Sequence, residues 1–198
     1  MAAHLVVPMA PETPESWLAR HAATGDQDAF EKLLRYFERP IRAYLSRCGL
    51  TGAEREDLTQ EIFLRLHRGA GSYRPEKPAQ VWVFTVVANC VRSHFRRVAV
   101  RTRTPAESVL PPPVGHPSAE EVHAAGEVAE LLQNALQGLS LLQREVVLLH
   151  ALQAMSISEI AEALSLPPGT VKTHLYRGRL NLAKALSRRD AQTQREQR

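Results

Sequence analysis

Residues 156–179, SISEIAEALSLPPGTVKTHLYRGR, read as two short helices around a tight turn, with every cation in the second. Ile157, Ile160, Ala161 and Leu164 recur at i, i+3, i+4 and i+7, which lays one apolar stripe along the first helix. Ser156 and Glu159 have the spacing of a capping box, in which each satisfies a free amide at the helix start. Leu166, Pro167, Pro168 and Gly169 end that helix, because proline lacks an amide donor and keeps its predecessor out of helical geometry. Thr170 is the expected N-cap of the second helix. Turning about 100° per residue from Val171 brings Leu175, Gly178, Leu182 and Ala185 onto one buried face. Thr173, Tyr176, Arg177 and Lys184 point the other way, with Lys172 and Arg179 on one flank and His174 on the other. A helix-turn-helix offers the start of its second helix to base edges, so Lys172, Thr173, Tyr176 and Arg177 are the candidate DNA contacts. The plainer alternative is a helical hairpin with a solvated basic face. The capped, cation-free first helix and the Pro-Pro-Gly turn favour DNA. Leu180 also points outward, and the sequence offers no reason for it.

The chain has 198 residues and a net charge of +4. Its basic residues are clustered: five arginines and no acid lie between Arg92 and Arg103, and eight cations face two acids from Lys172 onward. Two basic surfaces suggest two contacts with a polyanion. No apolar run approaches the length of a membrane span, and the opening MAAHLVVPMA lacks the basic n-region and long apolar core of a signal peptide; a cytoplasmic protein without membrane insertion is expected. Cys48 and Cys90 form no CxxC pair and no zinc-like spacing, so buried thiols are expected and neither a metal nor another cofactor.

The rest of the chain divides by pattern and composition. Residues 1–24, proline-containing and weakly patterned, read as a mobile lead-in. Asp28 and Glu31 form a capping-box pair ahead of a stripe of Phe30, Leu33, Leu34, Phe37, Ile41, Tyr44 and Leu45, which Pro40 should kink or divide. Helices are expected over 53–67 and 81–100, the latter with Phe84, Ala88, Val91 and Phe95 on its core face, and a loop over 69–78 between them. Residues 101–126 hold five prolines and no sustained period, the texture of a flexible linker. Helices over 127–139 and 141–152 follow, the second capped by Ser140, and a polar tail closes the chain at 189–198. No stretch alternates as a strand does. The expected fold is all-α: two small helical domains, 25–100 and 127–188, joined by a Pro-rich linker.

A second constellation lies in the N-terminal domain. Leu58, Ile62 and Leu66 form the core stripe of one helix, while Asp57, Gln60, Glu61 and Leu64 make a separate acidic and amide-bearing face with an exposed leucine, suited to a protein partner. Catalysis by Asp57 and Glu61 is the rival, but no nucleophile or metal-ligand set converges on them in the sequence. In the next helix Thr85, Asn89, Arg92 and Arg96 share a stripe extended by Arg97, near Trp82 and a loop with Tyr73, Arg74 and Lys77. Cations beside aromatics suit single-stranded nucleic acid; the competing reading puts Trp82 and Phe84 in the core.

Together, DQDAFEKLLRYFERPIRAYLSRCG, EDLTQEIFLRLHR and VWVFTVVANCVRSHFRR resemble region 2 of the extracytoplasmic-function sigma factors, a compact group of the bacterial sigma-70 family. LQGLSLLQREVVLLHALQAMSISEIAEALSLPPGTVKTHLYRGRLNLAKAL resembles their region 4. The resemblance implies a promoter-specificity subunit of RNA polymerase with no catalysis of its own. Asp57, Gln60, Glu61 and Leu64 would dock on the clamp helices of the polymerase β′ subunit. Ser72, Tyr73, Arg74, Asn89, Arg92 and Arg96 would read and help open the minus-ten element as single strand. Lys172, Thr173, His174, Tyr176 and Arg177 would read the minus-thirty-five element as duplex. An anti-sigma protein is the further partner implied. The family more often has Ser and Arg where Thr173 and His174 stand. Two elements about two helical turns apart lie roughly 70 Å from one another, within the roughly 80 Å reach of an extended 26-residue linker. A stand-alone helix-turn-helix regulator would need only 127–188 and leaves the Asp57 face unexplained; a hydrolase or thiol enzyme lacks a convergent nucleophile and base.

Overall fold

The computed structural model describes residues 12–102 and 125–196 and is built of α-helices: α1 (Pro14–Thr24), α2 (Gln27–Cys48), α3 (Gly52–Gly69), α4 (Ala79–Thr102), α5 (Ala125–Gln137), α6 (Leu141–Leu152), α7 (Ile157–Leu164) and α8 (Pro168–Glu196). One short 3-10 turn, Ala70–Ser72, follows α3. The all-α expectation holds among the described residues. Most of the expected linker, 103–124, lies outside them.

Residues 14–24 depart from the expected lead-in, because they form α1. Thr13 and Ser16 cap its start reciprocally, Leu18 is fully buried, and the Glu15 carboxylate accepts the Ala79 amide at the first turn of α4 at 3.0 Å. The α1 pattern is hard to read because its buried face alternates Leu18 with a histidine: His21 stacks on Phe30 with ring centroids 4.4 Å apart. The cap of α2 is Asp26, which accepts the Ala29 amide at 3.1 Å, rather than Asp28. Pro40 sits inside α2 without dividing it; the residues that line its stripe, from Phe30 to Cys48, bury themselves against α1, α3 and α4. Phe84, Ala88, Val91 and Phe95 are buried on α4 as expected. Phe84 is a core residue, packed edge-on against Tyr44 at 5.7 Å.

In the C-terminal domain the Ser156 and Glu159 capping box forms at the start of α7. Ser165 ends α7 in the left-handed conformation, φ 55°. Thr170 is not the cap of α8: the helix begins at Pro168, where a missing amide hydrogen loses nothing and the fixed φ suits the first turn. The backbone of α8 continues to Glu196, through most of the expected tail. The two domains meet along a seam, α5 and α6 against α2 and α7 against α4, and their buried side chains join in one apolar cluster.

Candidate nucleic-acid and partner interfaces

The second helix of the helix-turn-helix is held by its apolar face. Val171 and Leu175 are buried, and Gly178 lets α8 close onto α6, since a Cβ there would stand 2.7 Å from Val147 Cγ2. Leu182 is half-buried and Ala185 exposed, so the expected buried face narrows where α8 runs past the domain. Lys172, Thr173, Tyr176 and Arg177 all point to solvent, Tyr176 at 69 % exposure, while His174 is half-buried on the flank. Thr173 donates its hydroxyl to the Gly169 carbonyl at 3.0 Å, which leaves its methyl outward. Leu180 is 40 % exposed on the same side of the helix.

On α3, Leu58, Ile62 and Leu66 are buried, and the opposite face is a coherent ridge: Asp57 and Gln60 exposed, Leu64 54 % exposed. Glu61 differs from its neighbours. It accepts from Arg65 at 2.7 Å and from Arg97 of α4 at 3.0 Å. Partial burial alone would raise its pKa, but the Arg97 and Arg65 guanidinium groups leave the carboxyl below its usual range. Glu61 therefore fixes the ridge to α4 as well as contributing to it.

The six residues expected at a minus-ten site fall into two groups. Ser72, Tyr73 and Arg74 line a cavity of about 380 Å³ with Lys77, Trp82 and Thr85. Here Ser72 accepts the Trp82 indole N–H at 3.3 Å and donates to the Gly69 carbonyl at 2.7 Å. Tyr73 is buried rather than presented to solvent, its hydroxyl donating to the Lys77 carbonyl at 2.8 Å and its ring edge-on to Trp82. Trp82, half-buried, belongs to both core and cavity wall. The second group lies along α4: Asn89 accepts from Arg92 at 3.0 Å, and Arg96 is exposed one turn on. Arg92 is not free for a ligand, because it also donates to the Leu164 carbonyl of α7 at 3.0 Å.

Two charged residues that the sequence reading passed over lie at the seam. Arg144 and Glu145 are both fully buried on α6. Their signal was present in LLQREVVLLHAL, a helix apolar on nearly every side with an adjacent cation and anion at its centre. Among the described residues no three His, Cys, Asp or Glu side chains converge to hold a metal ion, and no helix is long and apolar enough to cross a membrane.

Comparison with known proteins agrees with the geometry. The family model for sigma-70 region 2 matches residues 33–101, and that for sigma-70 region 4 matches residues 129–182. The chain is 33 % identical over 169 residues to the ECF RNA polymerase sigma factor SigM of Mycobacterium tuberculosis, covering 85 % of this chain and 82 % of SigM. It is 26 % identical over 178 residues to SigW of Bacillus subtilis, covering 82 % of this chain and 91 % of SigW. In fold it is similar to the sigma factor RpoE solved with the anti-sigma factor NepR from Bartonella quintana, with TM-score 0.66 and 22 % identity over 80 % of this chain and 96 % of that one. CnrH, solved with the cytosolic domain of CnrY, gives a TM-score of 0.58 at 23 % identity, over 88 % of this chain and 98 % of that one.

Proposed function

The chain belongs to the extracytoplasmic-function sigma factors of the sigma-70 family, and from that premise we propose that it binds core RNA polymerase, directs it to promoters through two DNA elements and helps open the strands at the minus-ten element. The observation that carries this reading is the pairing on one chain of a partner-shaped ridge with two separate cationic readers.

The ridge supplies Asp57 and Gln60 for hydrogen bonds at its rim, Leu64 as the apolar contact, and Glu61 in a position fixed by two arginines. It suits the β′ clamp helices. The cavity beside Ser72, Tyr73 and Arg74 has room for one extruded base, walled by Trp82 and flanked by Arg74 and Lys77 for phosphates. Asn89 and Arg96 extend that track along α4, and Arg92 would join it on leaving the Leu164 carbonyl. At the other end Lys172, Thr173, Tyr176 and Arg177 would lie in the major groove of the minus-thirty-five duplex, with His174 at its edge. In this reading the chain is a specificity subunit and bond formation belongs to the polymerase. An anti-sigma protein is the regulatory partner that the reading adds, in keeping with the complexes in which the similar folds were solved.

The test is core binding. Purified chain should co-elute with core polymerase, and Asp57→Ala with Gln60→Ala should abolish co-elution while leaving the protein folded. Undiminished co-elution of the double variant contradicts the ridge assignment.

A further inference from the structure

A groove of about 520 Å³ runs along α2 to the first turn of α3, and none of the residues lining it belongs to a surface assigned above. Its α2 side is set by spacing: Arg35, Arg39, Arg42 and Ser46 recur at i, i+4, i+7 and i+11, so they stand in one row, with Arg47 beside the last of them. Arg55 of α3 completes the cationic lining. From Arg35 to Arg47 the row is roughly 18 Å long at about 1.5 Å per residue.

Nearby carboxylates engage only two of these five arginines. Glu31 holds Arg35 at 2.5 Å, and Glu38 and Glu56 hold Arg42 at 3.0 Å and 2.5 Å. Arg39, Arg47 and Arg55 pair with no carboxylate among the described residues. Arg39 is exposed, and Arg47 and Arg55 are half-buried. Three unpaired guanidinium groups on one groove repel one another, and an anion seated there relieves that repulsion.

The lining also says which anion fits. No aromatic ring offers a platform for an unpaired base, and no large apolar side chain offers a pocket for the anchor of a protein partner. Ala43 and Ser46 are small enough to leave the approach open, and guanidinium forks match phosphate oxygens two at a time. About five phosphates of one duplex strand, spaced about 3.4 Å along the axis, match the length of the row. The groove is separate from the ridge of Asp57 and Leu64 as well: at about 100° per residue, Arg55 lies roughly on the opposite side of α3 from both. A partner on the ridge leaves the groove open.

We propose that the groove between α2 and α3 is a third DNA contact, which grips the sugar-phosphate backbone of duplex DNA through Arg39, Arg47 and Arg55 without reading its bases. The inference goes beyond the reading of the preceding section and needs neither the minus-ten nor the minus-thirty-five assignment. The two readers choose the sequence; the groove adds affinity common to all sequences, and salt weakens it steeply.

A cross-linker at the groove tests this in the full chain. Arg35→Cys, at the exposed end of the row, is labelled with benzophenone maleimide, while the native Cys48 and Cys90 are buried and stay unlabelled. Irradiation with duplex DNA of random sequence then reports DNA held at the groove, whatever the other cationic surfaces bind. Cross-linking should saturate with DNA and weaken with salt. Adding Arg39→Gln, Arg47→Gln and Arg55→Gln should lower the slope of log affinity against log salt by about 2 to 3, so that the advantage of the unsubstituted groove shrinks about fortyfold between about 50 and about 200 mM salt. Lysine at the same three positions keeps the charge and should retain most of the affinity, which separates loss of charge from loss of fold. The glutamine variant should still co-elute with core polymerase, because its ridge is intact. The proposal is overturned if no DNA cross-links, if the glutamine variant cross-links as well as its parent, or if the lysine variant loses as much as the glutamine variant. Loss of core co-elution by the glutamine variant, with DNA cross-linking undiminished, would assign the groove to an acidic protein surface instead. Undiminished co-elution of the Asp57, Gln60 double variant contradicts the ridge alone and leaves the groove standing.

Discussion

Gly178→Ala puts a methyl group where α8, the DNA-reading helix, closes onto α6. Its Cβ would stand 2.7 Å from Val147 Cγ2 and 3.4 Å from the Gln143 carbonyl oxygen, whereas carbon atoms in ordinary contact sit about 3.5–4.0 Å apart. Val147 is buried and β-branched, with one strongly preferred rotamer in a helix, so it cannot swing aside. Relief requires α8 to move off α6 by on the order of 1 Å, and overpacking of this kind costs about 1–3 kcal/mol. Alanine returns about 1 kcal/mol through its better helix propensity. The net expectation is a loss of up to about 2 kcal/mol in urea unfolding, with weaker duplex binding because Lys172 and Arg177 move with the helix. Gly169→Ala is the control: it lies in the first turn of the same helix with nothing within 4 Å of the added carbon, and it should be neutral or stabilising by up to about 1 kcal/mol. Adding Val147→Ala should recover part of the Gly178→Ala loss, a favourable coupling between neighbours. A Gly178→Ala protein more stable than the wild type, gaining as much as Gly169→Ala gains, would refute the close approach of α6 and α8.

Three further outcomes are expected. Arg177→Ala should weaken binding to the preferred minus-thirty-five duplex by about 1–3 kcal/mol and relax specificity at one base pair; an equal drop on all duplexes marks a phosphate contact. Asp57→Ala with Gln60→Ala should leave the affinity of the full chain for that same duplex unchanged while polymerase binding falls, and parallel loss of both would show a folding defect in place of a docking surface. Cys48 and Cys90 are buried thiols pushed upward by desolvation, Cys90 to about 11, so neither should react with iodoacetamide near neutral pH until denaturant is added; rapid labelling of the folded chain would contradict that burial.

How much of this was legible in the sequence depended on the kind of pattern involved. Helices with a continuous apolar stripe were plain: α6 spans the expected residues, and α4 and α7 show their expected core faces. Boundaries failed where two cap chemistries competed. Asp26 and Asp28 both precede a good stripe, and Thr170 looks like a cap although Pro168 already satisfies the first turn of α8. Helix α1 was missed because it buries a histidine and docks through Glu15 onto an amide 64 residues away, a pairing no local pattern contains. The ridge of Asp57, Gln60 and Leu64 was readable because exposure of a leucine beside acids is visible from spacing. The partnership of Glu61 with Arg97 was not, since it joins separate helices. Arg144 and Glu145 carry the same lesson: their charges belong to contacts that exist only when two distant parts of the chain meet.

Transcription from reconstituted enzyme tests the central claim most directly. Core polymerase with this chain, and no anti-sigma protein, should start transcripts from a limited set of genomic fragments whose upstream sequences share two short blocks about two helical turns apart. Core polymerase with an equal amount of folded chain giving no transcript beyond core alone would contradict the account.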